Sequence, residues 1–331
     1  GFMHLQRGGI LKRRSWDNLA LERASAAGRL AADVPGGHYL RGAFFLGSRE
    51  LYAWLDATEA VDPDAIDMGP VSNVNHLYGD HQALAMLQRR GARFFNTCMM
   101  ATLLGAAVSD TLDDGTVVSG VGGQYNFVAM AHELPEGRSV LLLRATRQVR
   151  GGIESNIRWN YGQTTIPRHL RDIYVTEYGV ADLRGKSDSE CVEAMLSISD
   201  ARFLDALCAE AKAHRKLAAD FVIPEAWRRH SPRYLHEALA PFQQKGLLPQ
   251  FPFGSDFTEV EQRLLPALNW LKACSSHWRG RWRLLRAICR PGAAAADEAE
   301  ALARMGLAHP VKLADRLQRR LLQAALRRKQ M

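Results

Sequence analysis

Two short runs constrain this chain most: Val140-Leu-Leu-Leu143 and Asp172-Ile-Tyr-Val-Thr176. Each is apolar at successive positions, so as a strand it needs cover on both faces and belongs inside a sheet flanked by other layers. Around them, β-like and helical stretches alternate. Arg41-Gly-Ala-Phe-Phe-Leu46 and Ala92-Arg-Phe-Phe-Asn96 read as strands, and Arg49-Glu-Leu-Tyr-Ala-Trp-Leu55 and His81 to Arg90 as helices. Ser187-Asp-Ser-Glu190 is a capping box opening a helix toward Ser197, and Asp200 caps the next, which runs to about Arg215. The alternation predicts an α/β fold with an open, mostly parallel sheet and covering helices. In such sheets ligands sit where loops leave the strand ends.

The flanks read differently. Phe2-Met-His-Leu5 with Ile10-Leu11 resembles a helix already under way, and Asp17 to Asp33 continues as helix until Pro35-Gly-Gly37 breaks it. After Leu217 the chain becomes proline-punctuated and aromatic-rich (VIPEAW, HSPRY, APF, FPFGSDF), which predicts an extended arm; helices resume at Thr258. Domains are therefore expected at 1–36 (a helical remnant), 37–217 (the α/β domain) and 218–331 (the arm and a basic helical extension).

The net charge of +8 in 331 residues has a local origin. From Pro266 onward basic residues exceed acidic ones by roughly ten, so the tail carries the excess. Leu313, Leu317, Leu321, Leu322 and Leu326 form a stripe opposite Arg316, Arg319, Arg320, Arg327 and Arg328. Leucines docked on the protein with arginines in water are the expectation; a nucleic-acid or anionic-membrane appendage is the rival. Trp270, Trp278, Trp282 and Leu285 at helical spacing are expected to form a packed face, and Ala293 to Ala296 a short linker. No run of about 18 apolar residues and no secretory leader is visible, so a cytoplasmic location is expected. Five scattered cysteines without a C-x-x-C pair argue for free thiols rather than disulfides or zinc. His76 and His81 around Asp80 read as surface residues, and His277 near Cys274 as a chance pairing, so no metal site is expected.

Ser119-Gly-Val-Gly-Gly-Gln-Tyr-Asn-Phe127 packs three glycines into four positions after the β-rich run Thr116-Val-Val118. Glycines after a strand serve either a turn or the close approach of a ligand oxygen to backbone N–H groups, and spacing leaves both open. It is neither a P-loop nor a dinucleotide fingerprint, lacking the lysine of one and the G-x-G-x-x-G of the other. Further on, Arg144-Ala-Thr-Arg147-Gln-Val-Arg150-Gly-Gly-Ile-Glu154-Ser-Asn156-Ile-Arg158 is a basic loop suited to an anion or to ion pairs with Glu154. Tyr174-Val-Thr-Glu-Tyr-Gly-Val-Ala-Asp-Leu-Arg-Gly-Lys-Ser187 then delivers Glu177 from the end of an apolar strand.

In this order and spacing, VGGQYNF, the Arg/Gly/Ser-Asn loop and YVTEYGVADLRGKS resemble the C-terminal domain of the acetyl-CoA hydrolase/transferase family, class I CoA-transferases. The resemblance covers Gly37 to Leu217 and extends to FPFGSDFTE of long-chain bacterial members. It implies a CoA-transferase-like fold with a helical C-terminal extension, and a ping-pong reaction through an acyl-glutamyl anhydride and a glutamyl-CoA thioester. Gly122, Gly123 and Gln124 would hold the thioester oxyanion, chiefly through the Gly123 amide, a contribution of about 3 kcal/mol. Glu177 would help close the site over CoA, and Asn96 would lie by the pantetheine arm. Arg147, Ser155, Asn156 and Lys186 are the candidates for binding CoA and its phosphates.

Coenzyme A enters as substrate, with no covalently held cofactor; the partners implied are acyl-CoA, a small carboxylic acid and a missing N-terminal half. A homo-oligomer is left open, and nucleic acid and membrane are not expected. Two departures stand out. Many relatives carry Asp where Asn126 stands, and the nucleophilic glutamate of the family lies upstream of the segment matching Gly1-Phe-Met3. Neither Glu154 nor Glu177 has the nucleophile's sequence context, so this chain alone is expected to be inactive. The other reading is a CoA-binding or scaffold protein without chemistry.

Overall fold

The structure, a computed structural model, describes residues 2–43, 47–79, 81–149, 151–249, 251–252, 254–288 and 296–327. The sequence expectations for Phe44–Leu46, Asp80, Arg150, Cys289, residues 293–295 of the linker and Arg328 lie outside them. The chain divides into two compact units, residues 1–47 with 53–250, and residues 48–52 with 251–331.

The first unit opens with α1 (Phe2–Arg7), α2 (Leu19–Ala26), β1 (Leu40–Gly42), α3 (Arg49–Val61, its first turn belonging to the second unit), β2 (Ile66–Met68), α4 (Ser72–Asn75) and α5 (Gln82–Gln88). Then follow β3 (Arg93–Thr97), β4 (Met100–Thr102), β5 (Ala107–Val108), α6 (Gln124–Glu133), β6 (Arg138–Leu142), β7 (Thr146–Val149), β8 (Gly152–Ser155) and β9 (Ile157–Arg158). It closes with β10 (Ile173–Thr176), β11 (Gly179–Asp182), α7 (Asp188–Leu196), α8 (Leu204–Ala213) and α9 (Pro232–Gln244).

The chain is mixed α/β with mostly parallel strand pairing in its main sheet, as the alternation predicts. That sheet has the order β11-β10-β6-β3, with β3, β6 and β10 parallel and β11 returning antiparallel. The two apolar runs are its inner strands. Thr97, Leu142 and Val175 share one register level, so the three parallel strands end together. On one face Leu141, Tyr174 and Ala181 join a core with Cys191, Val192, Met195 and Leu196 of α7 and Leu204, Leu207, Cys208 and Ala211 of α8. The other face carries Phe95, Val140, Ile173, Val175 and Val180, of which Phe95 and Val180 on the outer strands are exposed. Tyr174, fully buried, satisfies its hydroxyl by donating to the Gly105 carbonyl at 3.0 Å.

The cap of α7 forms as read: the Ser187 hydroxyl accepts from the Glu190 N–H while the Glu190 carboxylate accepts from the Ser187 N–H. Asp200 caps a 3₁₀ turn, Ala201–Phe203, which leads into α8. Several boundaries differ from expectation. The helix read over Asp17–Asp33 is only α2, capped by Asn18 and stopped at Ala27-Gly28, where Gly28 takes φ +66°. Thr116–Val118 is no strand; Val117 makes a single bridge to Thr111 and is exposed. The arm after Leu217 contains α9, because Ser231 caps it and Pro232 occupies the first helical position, where a missing N–H costs nothing. None of its residues is fully buried.

The second unit is helical: α10 (Glu259–Ser275), α11 (Trp278–Ile288), α12 (Ala296–Arg304) and α13 (Leu313–Arg327). Thr258 and Glu261 form a capping box at α10, where helix was expected to resume. Leu264, Ala267, Ala301, Leu302, Leu307, Leu322 and Ala325 make its core, with Trp270 packed against it. Leucines 322 and 326 of the α13 stripe therefore dock, while Leu313 and Leu317 stay exposed. The expected single tryptophan face does not form: the chain breaks at Ser276-His277, and Trp278 and Trp282 are 67% and 60% exposed on α11.

Candidate active site

The carboxyl ends of β3, β6 and β10 gather most of the residues singled out in the sequence. Asn96 is the penultimate residue of β3, paired across to Leu141. The next residue, Thr97, accepts at its carbonyl a 2.8 Å hydrogen bond from the Gln124 Nε2. Gln124 is buried and is the first residue of α6, so this bond ties the helix N-terminus to the end of β3. Gly122 and Gly123 precede it. Gly122 takes φ +61° with open space where a Cβ would project, and Gly123 is the N-cap residue at φ −88°. A Cβ on Gly123 would stand 3.0 Å from the Phe127 ring and 3.3 Å from the Asn75 amide. No side chain caps α6, which leaves the first-turn amides directed outward with the positive end of the helix dipole.

Glu177 follows β10 directly. With Thr176 paired to Gly179, Glu177 and Tyr178 form a two-residue connection into β11. One Glu177 carboxylate oxygen accepts the Ala145 N–H at 2.8 Å. Ala145 lies just beyond β6, and its carbonyl accepts from the Asn156 N–H at 2.9 Å, while Asn156 Nδ2 donates to the Arg144 carbonyl at 2.9 Å. The loop thus closes on itself around the strand ends. Tyr178 braces it from behind: its hydroxyl donates to Asp200 at 2.9 Å and its ring stacks on His230 at 5.2 Å. Burial, then the bond to Asp200, raises the Tyr178 pKa and keeps the hydroxyl protonated. Asp200 itself is fully buried and ion-paired to Arg202, which holds its carboxyl below the usual range despite burial.

Four side-chain amides here, those of Asn75, Asn96, Gln124 and Asn156, each keep one buried polar atom without a hydrogen-bond partner. Buried polar atoms are normally paired, so such a group of donors and acceptors at strand ends is suited to a polar ligand.

The basic residues separate. Arg147 and Arg158 both pair with Glu154, at 3.0 and 2.6 Å, and together hold its carboxyl below the usual range. Ser155 is buried and spends its hydroxyl on Ile157 of its own turn. Lys186 is not with the others. It follows β11, whose end lies beside the start of β10, so it stands at the amino edge of the sheet, roughly 13 Å of strand away from Glu177. There it lines a cleft of about 550 Å³ with His132, Arg168, His169, Arg171, Leu183, Arg184, Gly185 and Asp188.

One cluster was not legible in the sequence. Asp17, His38 and Asp67 bring their ligand atoms within 4.8 Å of one another. Arg41 pairs with Asp17 at 2.5 Å and reaches Asp67 at 3.7 Å, so a guanidinium already offsets one of the two negative charges. The described cysteines 98, 191, 208 and 274 are all free and buried.

Fold and site together define an open α/β domain in which helix-start amides, side-chain amides and one carboxylate gather at the carboxyl ends of parallel strands. Residues 47–211 match the family model of the acetyl-CoA hydrolase/transferase C-terminal domain, and over this stretch the chain belongs to that family. It is 29% identical over 173 residues to a probable butyrate:acetyl-CoA coenzyme A-transferase of Syntrophomonas wolfei, covering 51% of this chain and 36% of that protein. It is 26% identical over 171 residues to a 4-hydroxybutyrate coenzyme A transferase of Clostridium kluyveri, covering 51% and 37%. The matched stretch thus spans about a third of the length of these relatives. Among solved structures, RipA from Yersinia pestis is similar at 28% identity and a TM-score of 0.45, over 54% of this chain and 37% of that one.

Proposed function

We propose that the chain supplies the CoA-recognition and oxyanion half of an acyl-CoA hydrolase or CoA-transferase acting through a glutamyl-CoA thioester. The observation that carries this is the convergence of Asn96, Gly122–Gln124, Asn156 and Glu177 at the carboxyl ends of β3, β6 and β10. On this reading the Gly123 amide, at the uncapped start of α6, receives the thioester oxygen as it gains charge. Glu177, fixed by the Ala145 N–H, lies at the same strand ends. Asn96 and Asn156 offer amides to the pantetheine arm. The acyl-accepting glutamate is contributed from upstream of the segment that Gly1–Met3 matches, and the acyl acceptor is a small carboxylate or water.

The test uses the complete polypeptide encoded by the gene beside this 331-residue chain, assayed for thioester exchange. Gly123→Pro removes the amide at a φ, −88°, within about 25° of proline's own, and Gly123→Ala adds a comparable Cβ while keeping the amide. Loss of the oxyanion donor is expected to lower turnover by about 100-fold or more in the proline variant and far less in the alanine variant. Equal losses in both would remove the amide from the mechanism, and turnover by the 331-residue chain alone at the rate of the complete polypeptide would refute the upstream nucleophile.

A further inference from the structure

Helix α11 presents an unusual surface. Its residues Trp278, Trp282 and Leu285 are 67%, 60% and 55% exposed. At about 100° per residue these three fall within a stripe of roughly 60°. Gly280 and the half-buried Leu284 lie on the opposite side of the helix. Gly280 is buried so tightly against α10 that a Cβ there would stand 2.1 Å from the Cys274 carbonyl oxygen. That contact fixes which side of α11 faces inward, so the helix cannot roll to cover its tryptophans.

Arginines flank the stripe. Arg279, Arg283 and Arg286 project to one side, Arg279 lying 5.4 Å over the Trp278 ring, and α11 contains no acidic residue. Arg281, on the other side, donates to the Ser275 carbonyl.

We propose that this surface docks on an anionic lipid bilayer, lying in the headgroup region with the tryptophans and Leu285 inserted and the arginines on lipid phosphates. The charge complementarity selects an anionic surface, and tryptophan is the side chain most at home at the boundary between headgroups and acyl chains. A single-stranded nucleic acid would explain the arginines and rings but not the exposed aliphatic Leu285, which offers no face for stacking. The helix lies on the membrane and does not cross it: no helix among the described residues is long and apolar enough to span.

The test is sedimentation of the full chain with vesicles of phosphatidylcholine alone and with about 30% phosphatidylserine, at about 100 mM salt, with tryptophan emission followed in parallel. Binding to the anionic vesicles only, with a blue shift, is expected. Trp278→Ser with Trp282→Ser should weaken it at least about tenfold. Arg283→Gln with Arg286→Gln should weaken it about 25-fold, at about fivefold for each arginine near the surface. Since all four side chains are solvent-exposed, circular dichroism should be unchanged. Absence of binding, binding indifferent to the tryptophan pair, or equal binding to neutral vesicles would overturn the proposal. So would tryptophan-dependent self-association or single-stranded DNA binding without vesicle binding.

Discussion

Replacing Asp188 by Asn tests the electrostatics at the amino edge of the sheet. Its carboxylate is 26% exposed and answers three cations: Lys216 at 2.7 Å, Arg171 at 3.3 Å and Arg168 at 3.3 Å. The Lys216 bond first, and Arg171 with it, hold the carboxyl down to about 2, against about 3.9 in an unfolded chain. At about 1.36 kcal/mol per pH unit the difference is roughly 2.5 kcal/mol, and partial exposure trims it to about 2. Because the folded-state pKa is depressed, this stability is fully present above about pH 4 and is lost as pH falls toward 2. Asp188→Asn should therefore destabilise the α7 region by about 2 kcal/mol at pH 7 and by only about 0.4 kcal/mol near pH 2, where half the folded-state carboxyls are protonated. Since the chain has two compact units, a single melting temperature is a poor readout and a local one is needed. Hydrogen exchange of peptides spanning β10 and α7 at pH 7 should accelerate about 30-fold. A change under twofold, or a carboxyl titration midpoint near 4 by NMR, would refute the reasoning.

Gly122→Ala should destabilise α6 by about 1 kcal/mol through its left-handed φ alone, since open space surrounds the site; unchanged exchange protection across Gln124–Glu133 would contradict this. Ser187→Ala should cost about 1 kcal/mol by removing the capping box, read as faster exchange in the first turn of α7. Cys98, buried with its pKa pushed up to about 12 by desolvation, should resist iodoacetamide at pH 8 and react only in denaturant; rapid native labelling located at Cys98 by mass spectrometry would show that the β3 end opens.

What the sequence disclosed was local chemistry. β6 and β10 were legible because two-sided apolarity has one inexpensive home, and α7 because Ser187 and Glu190 carry their cap with them. α9 was not, since Pro232 and Pro241 read as breakers while the first sits at the one helical turn that tolerates proline. The tryptophans misled because a helical spacing shows which side chains share a face but not which face turns inward; Gly280 decides that through a contact with Cys274. At the candidate site, residue types were readable one by one. Their meeting depended on register: Thr97, Leu142 and Val175 ending level is a property of the paired sheet, and so is the displacement of Lys186 to the other edge.

The link between β10 and β11 has a mechanical corollary. With only Glu177 and Tyr178 between paired Thr176 and Gly179, and neither at positive φ, there is no slack in which the carboxylate could wander. Its aim is inherited from the pleat, and a one-residue slip of β11 against β10 would turn Ala181 away from the core it now fills.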